Sequence, residues 1–305
     1  MSTRLPAAQA TAVRYPAPML WAAAALETAR PRQWPKNLLV FAAPLAGASL
    51  GRDDGLGYAL VAAGAFVAAS AGVYFVNDVA DAERDLRHPV KRFRPVASGR
   101  LPKAHALVLA MMAVTAALAA GFWIGEPRLS AVAGSYLALA VLYTFVLKHI
   151  PVVELAFVAA GFVLRALGGA IATHVPPSGW FLLVCSLGAL MVAIAKRYTE
   201  LTMLDAGAAR HRPVMRWYNR AMLRSSQRAV VCAMMIAYLL WACGEQNPWM
   251  RGWHLASAVA LAVALARFDR LTARAGSKPV EDLIARDGMM VYCELAWLTM
   301  FAAGL

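Results

Sequence analysis

Acidic and basic side chains are concentrated in one short stretch of this sequence, "NDVADAERDLRHPVKRFRP" at residues 77–95. The stretch holds four acids and five Lys or Arg within nineteen residues, although 61% of the whole chain is hydrophobic. Charges this dense are costly beside hydrocarbon, so the stretch is the first candidate for chemistry. The alternative interpretation is an ordinary charged loop whose side chains are solvated.

The acids of this stretch are spaced as neighbours on a helix. Asp78, Asp81 and Asp85 would share one face if the preceding apolar helix continues through them. Stacked carboxylates repel one another unless a cation neutralises them, and carboxylate oxygens without sulfur or imidazole ligands suit Mg²⁺. We therefore predict a magnesium site at these three acids. The competing interpretation is a solvated helix end whose acids pair with Arg84 and Arg87.

Basic residues follow the acids directly. Pro89 is expected to stop the helix, which leaves Lys91, Arg92 and Arg94 on the loop beyond it. A phosphate-bearing ligand needs both kinds of charge, because acids hold the metal ion while Lys and Arg bind the phosphate oxygens that the metal leaves free. The combination predicts a site for a diphosphate together with its metal ion.

Further polar residues in or beside apolar runs are candidates for the same site. Arg165 is the most costly, since it stands inside an apolar run and should face the interior, with Glu154 as its candidate partner or as another site acid. In "RPRQWPKN" (30–37), Arg30 and Arg32 are interpreted as contacts to lipid headgroups. The "KRYTE" block (196–200) offers phosphate contacts or, alternatively, an ordinary helix ion pair. The candidate substrate-binding residues are Lys36, Tyr74, Asn77, Arg84, Lys91, Arg92, Arg94, Glu154, Arg165, Lys196, Arg197, Tyr198 and Glu200.

The elements that must position these residues have the composition of membrane-spanning helices. Only 15% of the 305 residues are charged, and the mean hydropathy is +0.55. We predict an all-α polytopic membrane protein with nine transmembrane helices around a central cavity and with charged cytoplasmic loops. Residues 1–17 are expected to be a disordered tail, and 18–305 a single transmembrane domain. The apolar runs lie near 37–51, 56–76, 104–124, 129–147, 151–173, 180–195, 228–243, 253–267 and 288–304.

The net charge of +13 invites a nucleic-acid interpretation, but the distribution of the charge opposes it. With nine spans and the N-terminus inside, 26 of the 30 Lys and Arg fall in cytoplasmic segments. This asymmetry follows the positive-inside rule. It predicts a protein of the plasma (inner) membrane, with the N-terminus and the active site in the cytoplasm and the C-terminus outside. The expected partners are therefore membrane lipids and not nucleic acid.

The pattern Asn77-Asp78-x-x-Asp81-x-x-x-Asp85 resembles the first signature of the UbiA superfamily, intramembrane transferases that act on prenyl substrates with Mg²⁺. The blocks "RPRQWPKN", "LKHIPVVELAFVAAGFVLRALGG", "KRYTEL" and "KPVEDLIARD" are similar, in the same order, to the branch found in mycobacteria and related actinobacteria. Typical prenyltransferases of the superfamily carry a second aspartate-rich motif where this chain has "KRYTE". Lys196 and Arg197 at that place favour a phosphate over a second metal ion.

The resemblance implies a specific reaction. A 5-phosphoribosyl group would pass from phosphoribosyl diphosphate (PRPP) to polyprenyl (decaprenyl) phosphate with release of pyrophosphate, a step towards a lipid-linked arabinose donor for cell-wall arabinan. Asp78, Asp81 and Asp85 would then hold Mg²⁺ and be the catalytic residues. Two alternatives stay open: a UbiA-type prenyltransferase that joins a prenyl diphosphate to an aromatic acceptor, and a transporter of anionic solutes. The polyprenyl chain length, the number of Mg²⁺ ions and assembly into a homo-oligomer also stay open.

Overall fold

The structure, a computed structural model, describes residues 17–52, 54–145, 150–204, 213–274, 280 and 287–305. Within these ranges the chain forms α-helices and 3-10 segments without any β-strand, which confirms the all-α prediction. The 3-10 segments are Pro31–Phe41, Lys91–Phe93 and Pro213–Trp217. The helices are α1 (Ala17–Thr28), α2 (Ala42–Ala46), α3 (Gly55–Leu86), α4 (Lys103–Trp123), α5 (Pro127–Phe145), α6 (Val153–Ala172), α7 (Gly179–Leu204), α8 (Arg220–Gly244), α9 (Pro248–Ala273) and α10 (Gly288–Ala303).

Five of the described helices are long and apolar enough to cross a membrane, namely α3, α4, α6, α7 and α8. Helix α10 is also apolar but has only 16 residues. Since a helix needs roughly 20 apolar residues to cross the hydrocarbon layer, the chain is an integral membrane protein. The count of nine spans and the central cavity stay predictions.

The first predicted span, 37–51, is not one continuous helix. The 3-10 segment ends at Phe41, α2 adds five residues, and turns follow. Pro35 and Pro44 each remove a backbone N–H donor, and Ala48 has a φ of +48°, which a regular helix does not allow. The apolar composition of 37–51 therefore did not indicate the type of backbone.

The chain divides into two compact units, of which unit 1 comprises residues 1–33 and 71–113. Its core joins Ala24 of α1 to Phe75 and Ala82 of α3 and to Leu101 and Ala106 at the start of α4. These buried contacts hold the C-terminal part of α3, which carries the acidic residues. Residues 1–16 of the predicted disordered tail lie outside the described residues, and the single domain 18–305 stays a prediction.

Unit 2 comprises residues 34–70 and 114–305. Within it α6 packs against α2, α5 and α7, α7 packs against α8, and α9 packs against α8 and α10. The contact of α6 with the chain before α2 is very close, because a side chain at Gly169 would collide with the carbonyl oxygen of Val40. Glycines in "RALGGA" thus serve helix packing and bring the polar residues of α6 close to their partners. Most of the "KPVEDLIARD" block falls outside the described residues.

Candidate active site

Two of the three predicted metal ligands in unit 1 are buried on one face of α3. Asp78 and Asp85 are each 3% exposed, and seven residues of α-helix bring two side chains to within about 20° of each other around the axis. Asp81 follows Asp78 by three residues, and at a rotation of about 100° per residue its side chain is offset by about 60° from that of Asp78 around the axis. Its side chain is 39% exposed and lies 3.0 Å from Nη2 of Arg84. The predicted acidic row therefore consists of two buried carboxylates and one at the surface.

Two arginines neutralise the buried carboxylates. Nη1 of Arg94 donates to Oδ2 of Asp85 at 2.7 Å and lies 3.5 Å from Oδ1 of Asp78. Nη2 of Arg30 donates to the same Oδ1 of Asp78 at 2.6 Å. We call Arg30, Asp78, Asp85 and Arg94 the four-charge cluster, in which two negative and two positive charges form charge-assisted hydrogen bonds. The interpretation of Arg30 as a lipid-headgroup contact is therefore wrong.

The segment after α1 is held against α3 by side chains of both elements. Arg30 has a φ of +54°, and its guanidinium lies 4.6 Å from the centre of the Tyr74 ring, a cation–π distance. The Tyr74 hydroxyl donates to Oε1 of Gln33 at 3.1 Å. Asn77, one turn after Tyr74, is half-buried. The contacts of Arg30 and Gln33 with α3 were not predicted, because the sequence of "RPRQWPKN" indicated only a basic segment.

The loop after α3 presents the other predicted cations to solvent. Helix α3 ends at Leu86, before Pro89, as predicted. Nδ1 of the His88 ring accepts hydrogen bonds from the backbone N–H groups of residues 90 and 91 and so forms the turn. Lys91 and Arg92 are exposed on the short 3-10 segment, whereas Arg94 points to the buried acids. The loop therefore supplies one inward and two outward cations.

A buried ion-pair triad joins α6 to α7 in unit 2. Glu154 is fully buried and accepts from Nε of Arg197 at 2.5 Å and from Nη2 at 2.8 Å. Nη1 of Arg197 donates to Glu200 at 2.6 Å. We call Glu154, Arg197 and Glu200 the Glu154 triad. Its guanidinium is shared by two carboxylates of the protein itself, so Arg197 is not presented as an uncompensated cation.

The chain that enters α6 carries one further polar contact. The hydroxyl of Tyr218 accepts the backbone N–H of Val152 at 2.8 Å. Burial raises the pKa of Tyr218, so the phenol stays neutral at physiological pH. This neutral phenol holds the backbone two residues before Glu154.

Arg165 is buried in unit 2, as predicted, but its contacts differ from the prediction. Among the described residues its guanidinium contacts neutral groups, donating to Asn37 at 2.7 Å, to the Gly161 carbonyl at 2.6 Å, to Tyr136 at 3.0 Å and to Ser70 at 3.3 Å. The candidate pairing of Arg165 with Glu154 is therefore wrong. The distance along α6 explains this, since eleven residues are about three turns, roughly 16 Å.

The remaining candidates of unit 2 lie around the same helices. Lys196 and Tyr198 are half-buried on α7, and the guanidinium of Arg224 lies 5.5 Å from the Tyr198 ring centre. Arg224 is itself held by the carboxylate of Asp269 at 3.1 Å. Lys36 is half-buried on the first 3-10 segment.

Asp78 and Asp85 suit a divalent cation by the chemistry of their donors. Both carboxylates already converge on one nitrogen of Arg94, so a single cation bridges them. Mg²⁺ in proteins commonly takes one or two carboxylates and fills its other positions with water and substrate phosphates. In the part of the chain that the structure describes, no three His, Cys, Asp or Glu residues gather as a ready-made metal site. The two buried acids therefore fit a metal ion that is shared with a phosphate-bearing ligand.

Comparison with known proteins identifies close sequence relatives. The model of the UbiA prenyltransferase family matches residues 17–281. Decaprenyl-phosphate phosphoribosyltransferase of Mycobacterium tuberculosis is 36% identical over 287 residues, which are 93% of this chain and 94% of the relative. The protein of the same name from Corynebacterium glutamicum is 32% identical over 278 residues, 90% of this chain and 84% of the relative.

Solved structures agree with the fold. A UbiA homolog from Archaeoglobus fulgidus bound to GPP and Mg²⁺ is similar with a TM-score of 0.67 at 14% sequence identity. The match covers 92% of this chain and 98% of that chain. At this identity the likeness establishes the helical fold.

Proposed function

The chain belongs to the UbiA prenyltransferase family, and from that premise we propose that it transfers a 5-phosphoribosyl group from PRPP to a polyprenyl phosphate such as decaprenyl phosphate. The bond between the anomeric carbon and the diphosphate oxygen breaks, a bond from that carbon to a lipid phosphate oxygen forms, and pyrophosphate leaves. The names of the relatives support the two substrates. The observation that carries the chemistry is the four-charge cluster, which combines carboxylates and guanidiniums as a metal-bound diphosphate requires.

The residues of unit 1 would act on the donor. Asp78 and Asp85, with Asp81 at the surface, would hold Mg²⁺, which supplies positive charge to the diphosphate leaving group. Arg94 and Lys91, together with Arg92 and Arg84, would bind phosphate oxygens and stabilise the negative charge that develops as the anomeric bond breaks. Tyr74 lies on the same face of α3 as the buried acids, at about 40° from Asp78 around the axis, and together with the half-buried Asn77 it would orient the donor. The lipid phosphate is already anionic near neutral pH, so its attack needs no strong general base.

For unit 2 the proposed roles follow from the contacts. Arg197 positions Glu200 and the helix turn that carries Lys196 and Tyr198, and these two side chains with Lys36 are assigned to phosphate contacts. Arg165 fixes the amide of Asn37, next to Lys36, at 2.7 Å. Glu154 would act through Arg197 rather than on substrate.

The distribution of charge supports a location and an orientation. We assign the protein to the plasma (inner) membrane, with the N-terminus and the charged site on the cytoplasmic side and the C-terminus outside. PRPP is water-soluble, which agrees with a site that opens to the cytoplasm. The polyprenyl tail requires contact with the bilayer, and the apolar helices provide it.

The proposal is tested with the purified protein in detergent, decaprenyl phosphate, Mg²⁺ and PRPP labelled in the ribose. Label should appear in the organic phase, and EDTA or Asp78→Asn should abolish it. Glu83→Gln is the matched control, because Glu83 lies on the same helix with an 84% exposed side chain and its ion pair with Lys103 is long, at 3.7 Å. Absence of lipid-linked label from a folded wild-type protein would overturn the proposal.

A second candidate function is transfer of a prenyl group to an aromatic acceptor. It is favoured by the solved neighbour that binds GPP and Mg²⁺. The same preparation would then be incubated with prenyl diphosphates and aromatic acids, in competition with PRPP. Inhibition of phosphoribosyl transfer without formation of a prenylated product would reject this candidate. The transporter alternative predicts flux of anions across vesicles without any lipid-linked product.

A further inference from the structure

We propose that Arg30 and Arg94 are exchangeable internal cations, which a divalent metal ion replaces on Asp78 and Asp85 so that their guanidiniums become ligands of the diphosphate. The inference rests on the proposed function in one respect, namely that the donor carries a diphosphate. It assigns a ligand-binding role to Arg30 that the sequence pattern did not indicate. It also implies that binding of the metal ion and binding of the diphosphate are thermodynamically coupled.

The balance of charge within the cluster is the first argument. Two carboxylates and two guanidiniums sum to zero while they contact each other. A divalent cation on the two carboxylates would by itself restore neutrality there. It would leave the two guanidiniums without their counter-charges in a site where uncompensated charge is costly. A diphosphate supplies the missing negative charge. The metal ion therefore frees the guanidiniums for the diphosphate, and the diphosphate compensates the guanidiniums that the metal ion displaces.

The geometry around Arg30 is the second argument. Its guanidinium touches only one of the two carboxylates, at 2.6 Å from Oδ1 of Asp78, and its side chain is 28% exposed. Arg94 is 30% exposed and bridges both acids from the loop side. Both side chains therefore reach solvent, where a soluble ligand arrives, while the carboxylates are almost fully covered. The Tyr74 ring, 4.6 Å from the Arg30 guanidinium, provides a second contact that keeps Arg30 beside the site when Asp78 is taken by the metal ion.

The consequence is positive cooperativity between the two ligands. A metal ion alone must displace two charge-assisted hydrogen bonds, and a diphosphate alone meets guanidiniums that are already engaged. Both therefore bind weakly in isolation and more tightly together. A coupling of about tenfold or more in the dissociation constant is expected for ligands linked in this way.

The test measures binding rather than turnover, with the whole protein in zwitterionic detergent. Equilibrium dialysis with radioactive Mn²⁺ and labelled pyrophosphate gives the Kd for Mn²⁺ with and without pyrophosphate, corrected for the Mn²⁺–pyrophosphate complex in the protein-free chamber. The ratio of the two Kd values is the coupling factor. In Arg30→Gln, Mn²⁺ alone should bind about fivefold tighter or more, because a competing positive charge is gone. The coupling factor should nevertheless fall at least about threefold, because a phosphate ligand is gone.

Matched variants separate exchange from simpler roles. Arg128→Gln removes an exposed positive charge in unit 2, where Arg128 pairs with the buried carboxylate of Glu126, and should change neither value. Arg30→Lys keeps the charge and should retain most of the coupling. Tighter binding of Mn²⁺ in Arg30→Gln with an unchanged coupling factor would overturn the proposal, since Arg30 would then only repel the metal. Absence of coupling in the wild type would also overturn it, even where the phosphoribosyl-transfer assay is positive.

Discussion

Replacing Glu154 by glutamine tests whether the Glu154 triad holds the structure or presents a cation to substrate. Glu154 is fully buried, and two of the three guanidinium nitrogens of Arg197 donate to it. Glutamine keeps the size of the side chain and one acceptor oxygen but removes the charge. Arg197, itself 7% exposed, would then retain only Glu200 as a charged partner in the triad.

The expected loss of stability follows from burial. Removing one partner of a buried ion pair costs about 3–5 kcal/mol. Since Glu200 remains and glutamine still accepts one hydrogen bond, we expect the lower end, about 3 kcal/mol. At about 2–4 °C per kcal/mol this lowers Tm by roughly 6–12 °C. Glu200→Gln, whose side chain is 31% exposed, should cost about 1 kcal/mol or less because solvent screens the pair.

The assay is tryptophan-fluorescence melting in detergent, combined with the KM for PRPP of each variant. Arg197→Gln and the double variant Glu154→Gln/Arg197→Gln complete a double-mutant cycle. The double variant should be more stable than Arg197→Gln, because Arg197→Gln leaves the buried carboxylate of Glu154 without its guanidinium and the double variant removes that carboxylate as well. With a cost of about 3 kcal/mol for Glu154→Gln, this order of stabilities requires a coupling energy of about 3 kcal/mol or more.

The opposite pattern would refute the reasoning. If Glu154→Gln melted within 2 °C, roughly 1 kcal/mol, of the wild type and instead changed the KM for PRPP severalfold, Arg197 would be a substrate-facing cation. The interpretation of "KRYTE" as a phosphate-binding block would then extend to Arg197, and the triad would be a weak contact.

Two further predictions concern packing and pH. Gly169→Ala should lower Tm by several degrees, because the added methyl group meets the immobile backbone of Val40; Gly64→Ala, with open space around it, is the control and should leave Tm unchanged or slightly higher. The Arg267 guanidinium holds the pKa of Asp287 below its usual value, so the stabilisation is present above about pH 4, the unfolded pKa, and is lost as the pH falls through the lower folded value. Melting of Asp287→Asn against the wild type should therefore show a deficit at pH 6 that disappears in strong acid.

The side chains that share a face of α3 could be predicted from the sequence, because an α-helix has a fixed period. The acids at 78 and 85 were expected on one face, and both are buried there. The same helical period places Asp81 about 60° from Asp78 around the helix axis. Because of this offset Asp81 lies at the surface, where it pairs with Arg84. Spacing alone grouped all three, since it does not say where on the helix the buried face is centred.

Ion pairs between residues that are distant in the sequence could not be predicted from it. Arg30 and Asp78 are 48 residues apart, and Glu154 and Arg197 are 43 apart. Nothing in composition or periodicity distinguishes these pairs from the other combinations of acids and bases in the chain. The assignment of Arg30 to lipid headgroups failed for this reason, as did the pairing of Arg165 with Glu154. Such pairs depend on helix packing within each unit, which forms only when the apolar faces of its helices are buried.

The contacts of Arg165 also have a consequence for how the protein is made. An arginine at the middle of a helix costs about 2.5–3.5 kcal/mol to insert on the translocon scale. Its three side-chain acceptors, Asn37, Ser70 and Tyr136, all precede it in the sequence and therefore leave the ribosome first. When α6 reaches the membrane, the groups that satisfy its guanidinium are already there. The order of synthesis thus matches the order in which the acceptors are needed, and α6 can insert without a charged partner of its own.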